Sequence, residues 1–162
     1  MKAQAWSMDF VVSISIFLLV FSIVVFSWNY INIQNTDRTL FSEMQVSGLD
    51  ISDILIRVPG NPENWNETNV LSIGLASSEN VLNKTKVEQF VNMDYGITKN
   101  ILGLPDMEYY FAVQHLNGTV MEYNGQNMSI GTYPVNSSIA VPIFRSVLFG
   151  ETLAKMVFVL YV

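Results

Sequence analysis

An uncharged run of 19 residues, Phe10 to Trp28, constrains this chain more than any other feature. As a helix rising about 1.5 Å per residue it spans roughly 28 Å, which matches the hydrocarbon core of a bilayer. A secretory signal has a shorter apolar core and ends at a small-residue cleavage site. This run instead closes on Ser27, Trp28, Asn29 and Tyr30, with aromatic rings at the depth of a membrane interface. The sequence predicts a retained membrane helix, single in the chain, followed by one extramembrane domain of ordinary size.

Charge narrows the partners. Eight basic residues stand against 14 acidic ones, a net charge of −6, with no Lys/Arg stripe to neutralise phosphates. Nucleic acid is therefore not an expected partner. No polybasic segment flanks the apolar run, so anionic-lipid recognition has no footing either. The chain has no cysteine and a single histidine, His115. Disulfides, thiolate chemistry, Cys-containing zinc sites and lipidated cysteines are excluded, and no cofactor is implied.

Topology follows from the flanks. Lys2 and the terminal amine precede the run, while Asp37, Arg38 and Glu43 follow it, which places the N-terminus in the cytoplasm and the domain outside the cell. Asn-X-Ser/Thr sequons fall at Asn66, Asn83, Asn117, Asn127 and Asn136. Chance would supply about two of these five at the chain's Asn, Ser and Thr content. An exported glycoprotein accounts for the excess; an asparagine-rich loop composition is the other reading.

Past Trp28, Ile33, Leu40, Met44, Ile51, Leu55 and Val58 recur at helical spacing, and no proline intervenes before Pro59. One long helix is expected, its first half in lipid and its second half amphipathic, with Gly48 a local weak point. Pro59, Gly60 and Pro62 end it, and Trp65 reads as an apolar plug holding the polar loop to the domain. Ile73 and Leu75, flanking Gly74, suggest a short strand or extended piece. Residues 83–102 return to helical spacing, with Asn83 and Asp94 as N-caps and Gly103 as the C′ residue. From Met107 onward the chain is rich in strand formers, with a type I′ hairpin expected at Asn117–Gly118 and a further turn at Asn124–Gly125. Pro142 is expected to interrupt the strand Ile139–Phe149 at an edge or bulge, and a last strand follows Gly150–Glu151. The predicted fold class is α+β: the long helix packed on a small antiparallel sheet domain with short helices. The predicted divisions are 1–9 (leader and N-terminal motif), 10–28 (membrane helix), 29–58 (amphipathic continuation) and 59–162 (external domain).

Asp9 is the residue with most chemistry attached. A carboxylate beside an apolar run is costly to desolvate without a cation. It either stays in the interface at the helix start, where the dipole favours negative charge, or pairs with the amine of a neighbouring subunit. Ser13, Ser15, Ser22 and Ser27 either permit close helix packing or bond to their own backbone. The acids Asp50, Asp53, Asp106 and Glu108 read as solvated surface, His115 as a surface histidine, and Tyr109 to Phe111 as filling both faces of a strand. Ser77-Ser78-Glu79 lacks the glycines of a nucleophile elbow, and no enzyme is expected.

The segment KAQAWSMDF followed by an apolar helix resembles the N-terminus of archaeal type IV pilin-like proteins with class III signal peptides. The pieces PGNPENW, IGLA, VLNKTKVEQF and RSVLFGETLAKMVFVLYV also look like parts of pilin-like membrane proteins. The resemblance implies that a prepilin-type peptidase processes the chain at Lys2, Ala3 and Gln4, and that Asp9 acts in assembly. Cleavage before Gln4 would make Asp9 the sixth mature residue, and cleavage before Ala5 the fifth; aspartate stands where the family has glutamate. The implied function is a structural one: a minor pilin-like or pseudopilin-like subunit, anchored in the membrane and partnered by copies of itself or other pilin-like subunits. The alternative is a monomeric single-pass surface protein whose external domain binds a partner, glycan or envelope component.

Overall fold

A computed structural model describes residues 2–162, with side chains for residues 8–31 and 38–162. The fold is α+β. The chain divides into two compact units, Met1–Leu40 and Phe41–Val162, and the first helix, α1 (Lys2–Arg57), contributes to both. Nothing in its sequence opposes a helix: proline is absent and the only glycine is Gly48. In the first unit the segment Met8–Ile31 is long and apolar enough to cross a membrane, and none of its side chains is buried within the protein. In hydrocarbon only a helix or closed barrel satisfies every backbone amide, and a helix is what this segment forms.

The second unit follows the order β1 (Ala76–Ser78), β2 (Val81–Leu82), α2 (Lys84–Asn92), α3 (Tyr95–Ile101), β3 (Glu108–Gln114), β4 (Glu122–Tyr123), β5 (Gln126–Asn127), β6 (Ser129–Gly131), β7 (Ala140–Phe149) and β8 (Thr152–Tyr161). Six strands form one sheet in the order β1-β2-β7-β8-β3-β6, and β4 with β5 makes a separate two-stranded ribbon. Every neighbouring pair is antiparallel except β2 with β7.

Register decides which side chains share a face. Val141 pairs with Leu160 and Leu160 with Tyr109; Ile143 pairs with Phe158 and Phe158 with Phe111. These residues are buried together with Met44, Ile51 and Leu55 of α1 and Phe90 of α2. Phe90 meets Phe111 edge-on at 5.1 Å. The helices cover this face; on the other, Phe144, Leu148 and Leu153 are exposed, while Ala112, Val157 and Val159 toward the middle of the sheet are buried. At Gly48 α1 comes close against the sheet: a Cβ there would lie 2.4 Å from Ile143 Cδ1 and 3.2 Å from Leu160 Cδ1. The helix-weakening glycine is thus the residue that lets the helix sit on β7 and β8.

The loop after α1 is tied down from within. Trp65 is buried, and its Nε1–H donates to Pro59 O at 3.1 Å and Gly74 O at 3.0 Å. The buried Lys86 Nζ also donates to Pro59 O, at 2.6 Å. The extended piece expected at Ile73 and Leu75 is a connector; the strand begins one residue later, at Ala76.

One turn expectation and one strand expectation are corrected. At Asn117–Gly118 only the glycine has positive φ, +90°, and Gly118 N–H donates to His115 O while His115 N–H donates to Thr119 O. That is a three-residue connection with the glycine in the left-handed position, not a type I′ turn. The double positive φ that type I′ demands occurs at Asn124 (52°) and Gly125 (78°), between β4 and β5. Pro142 does not interrupt β7, which runs through it in register with Val159. Its other side is open, because β2 reaches β7 only at Leu148 and Phe149, so the missing N–H costs no ladder bond.

Candidate functional site

The first unit presents one candidate surface, the exposed helix Met8–Ile31 with Asp9 near its start. At about 100° per residue, Ser13, Ile16, Val20, Ile23 and Ser27 fall within about 40° of the line through Asp9. Phe10, Phe17, Phe21 and Trp28 cluster within about 20° of a second line, roughly a quarter-turn away. Phe17 and Phe21 stack with ring centroids 6.0 Å apart. The carboxylate therefore heads a stripe of serine and β-branched side chains, with a line of aromatic ones beside it. Small residues such as Ser13 and Ser27 on such a stripe let helices approach closely in lipid. Ser15 and Ser22 lie off the stripe, and each hydroxyl donates to a carbonyl one turn back, Val11 O at 2.7 Å and Leu18 O at 2.8 Å. For these two serines the self-bonding reading holds. Lys2, Ala3 and Gln4 lie outside the residues whose side chains are described, as do Ser7, Ile33 and Asp37.

In the second unit the sequon asparagines separate by environment. Asn66, Asn117, Asn127 and Asn136 are exposed. Asn83 is half-buried and caps α2, its Oδ1 accepting from Thr85 N at 3.0 Å and Lys86 N at 3.3 Å. Asp94 caps α3 by accepting from Ile97 N.

Sequence reasoning missed two polar clusters. Asp53 is not merely solvated: its Oδ1 lies 2.6 Å from Arg145 Nη2, and Arg145 Nε donates to Ser52 Oγ at 3.1 Å. The signal was available, since Arg145 occupies an inward position of β7 between Ile143 and Val147 and such a charge needs a partner. Glu108 is likewise not free surface. Its carboxylate accepts from Lys99 Nζ and from the Tyr95 hydroxyl, each at 2.8 Å. The Lys99 bond first, then the Tyr95 bond, holds its carboxyl below the usual range. Burial pushes the Tyr109 hydroxyl up to about 12, against a partial offset from its bond with Thr98. Tyr95, Glu108, Gly131, Thr132 and Tyr161 line an open cavity of about 340 Å³ beside this cluster. Among the described residues no group of three or more His, Asp or Glu side chains is arranged to hold a metal ion. Asp50, Asp106 and His115 are exposed.

Comparisons with protein-family models, with curated proteins and with solved structures returned no match.

Proposed function

We propose that this protein is a membrane-anchored structural subunit of pilin-like type. Its N-terminus is cytoplasmic, its apolar helix packs against neighbouring helices, and its α+β domain is displayed outside the cell. The observation that carries the reading is Asp9, an exposed carboxylate heading the stripe Ser13, Ile16, Val20, Ile23 and Ser27 in a segment fit to cross a membrane. In lipid such a carboxylate needs a cation, and the free amine of a processed neighbour supplies one at matching depth. A prepilin-type peptidase removing three or four residues would create that amine.

The test is the intact mass of protein extracted from native membranes. Mature material beginning at Gln4 or Ala5 is expected; a chain still beginning at Met1 would remove the pilin-like reading. The second reading, a monomeric surface protein with a binding domain, draws on the cavity lined by Tyr95, Glu108 and Tyr161. It predicts the same anchoring without processing.

A further inference from the structure

Among the described residues from 41 onward, the three most exposed large apolar side chains are Val135 (84%), Leu71 (74%) and Leu116 (69%). A single aliphatic residue in water is ordinary. Here, however, two of the three adjoin a sequon directly, and the third, Leu71, lies three residues beyond the end of one. Leu116 and Val135 immediately precede Asn117 and Asn136. Leu71 follows a turn closed by Val70 N–H donating to Asn66 O at 3.1 Å, with Asn66 N–H also held by Asn69 Oδ1 at 2.6 Å.

The other two sequons are built differently. Asn83 is half-buried, and its sequon runs directly into α2. The sequon of Asn127 starts in β5, passes through the buried Met128 and ends at Ser129 in β6, which pairs with Ala112 of β3. The sequons of Asn66, Asn117 and Asn136 lie wholly outside helices and strands. At Asn66 and Asn117 the carboxamide oxygen accepts from the sequon's own threonine, whose hydroxyl lies 2.7 Å and 2.8 Å away respectively. That bond fixes the oxygen and turns Nδ2 to the opposite side of the carboxamide.

Resting on the external placement proposed above, we infer that Asn66, Asn117 and Asn136 carry N-linked glycans whose first sugar covers Leu71, Leu116 and Val135, while Asn83 and Asn127 stay bare. A pyranose ring has an apolar C–H face, so covering an aliphatic neighbour removes apolar surface from water on both partners. In the transfer step the donor is a lipid-linked glycosyl phosphate. Asn Nδ2 forms a bond to the sugar's C1, the bond from C1 to the phosphate oxygen breaks, and Nδ2 loses a proton to the transferase as the lipid phosphate departs.

The experiment is site-by-site glycopeptide mass spectrometry on the full chain from native membranes, beside protease added to intact cells. Glycan at Asn66, Asn117 and Asn136, with unmodified Asn83 and Asn127, is expected. A bare residue among the three, or glycan at Asn83 or Asn127, overturns the inference. If the domain is cut from outside, that failure leaves the topology standing; if it is also protected, the placement falls with it. Asn117→Gln should raise binding of a hydrophobic dye, and adding Leu116→Ser should return it to the wild-type level. Equal dye binding in wild type and Asn117→Gln would overturn the covering role.

Discussion

Replacing Gly48 by alanine sets two effects of opposite sign against each other. An interior helical glycine costs about 0.8 to 1.0 kcal/mol relative to alanine, so propensity favours the change. The new methyl, however, would stand 2.4 Å from Ile143 Cδ1, inside contact distance. Overpacking of that kind costs about 1 to 3 kcal/mol, leaving Gly48→Ala destabilised by roughly 0 to 2 kcal/mol. Ile143→Val removes that same Cδ1 and should by itself cost about 0.5 to 1.5 kcal/mol through the gap it leaves. In the double variant the alanine methyl occupies the vacated space, so both penalties shrink while the propensity gain stays. The contact with Leu160 Cδ1 at 3.2 Å needs only a small shift. The pair should therefore couple favourably by at least about 1 kcal/mol, measured as a double-mutant cycle. The assay is urea unfolding of the full chain in non-ionic detergent, followed by the fluorescence of buried Trp65. Additivity within about 0.5 kcal/mol would refute the claim that Gly48 is where α1 meets the sheet.

Two further outcomes follow from the domain. Trp65→Phe keeps a ring but removes the donor to Pro59 O and Gly74 O; Lys86 still serves Pro59, leaving Gly74 O unpaired. The expected loss is about 1 to 3 kcal/mol in the same urea assay, and an unchanged midpoint would contradict it. Alkaline titration should also destabilise the fold. The Tyr109 pKa rises from its ordinary 10.0 to about 12 on folding, so its contribution is complete below pH 10 and fades as pH climbs toward 12. Burial lowers the Lys86 pKa, which acts in the opposite direction over its own titration. Burial raises the pKa of Tyr95, Tyr110 and Tyr161 as well. Tyr109→Phe should therefore lessen the loss above pH 10 without abolishing it, and an unchanged slope would refute the assignment.

The elements legible in the sequence were those with a strong local signal. Asn83 and Asp94 as caps, Gly103 beyond α3, the strand after Met107 and the break after Arg57 each rest on residues within one turn of the feature. What escaped depends on partners distant in sequence. The two- and three-residue strands β1, β2, β4, β5 and β6 have too few residues to show alternation, and their pairing fixes them. The role of Gly48 needs Ile143 and Leu160 above it, and the fate of Asp53 needs Arg145 on β7. The misplaced type I′ turn has a different cause: both Asn-Gly pairs carry the same local preference, and the length of the connection chose between them. At the candidate site, Asp9 was legible because a charge beside an apolar run stands out. Its alignment with Ser13, Val20 and Ser27 required only helical geometry.

The most direct measurement concerns Asp9. The chain has no native cysteine, so a single Val20→Cys places one reporter on the Asp9 stripe and Leu18→Cys places one away from it. If the carboxylate meets a neighbour's amine in lipid, leaving that amine unpaired costs about 3 to 5 kcal/mol. Disulfide crosslinking in native membranes should then be strong from position 20 and weak from position 18. It should be lost with Asp9→Ala, retained with Asp9→Glu, and absent with Asp9→Lys, while membrane insertion stays the same in all of them. Equal crosslinking with and without the Asp9 carboxylate, or equal yields from the two reporter positions, would contradict assembly through this stripe.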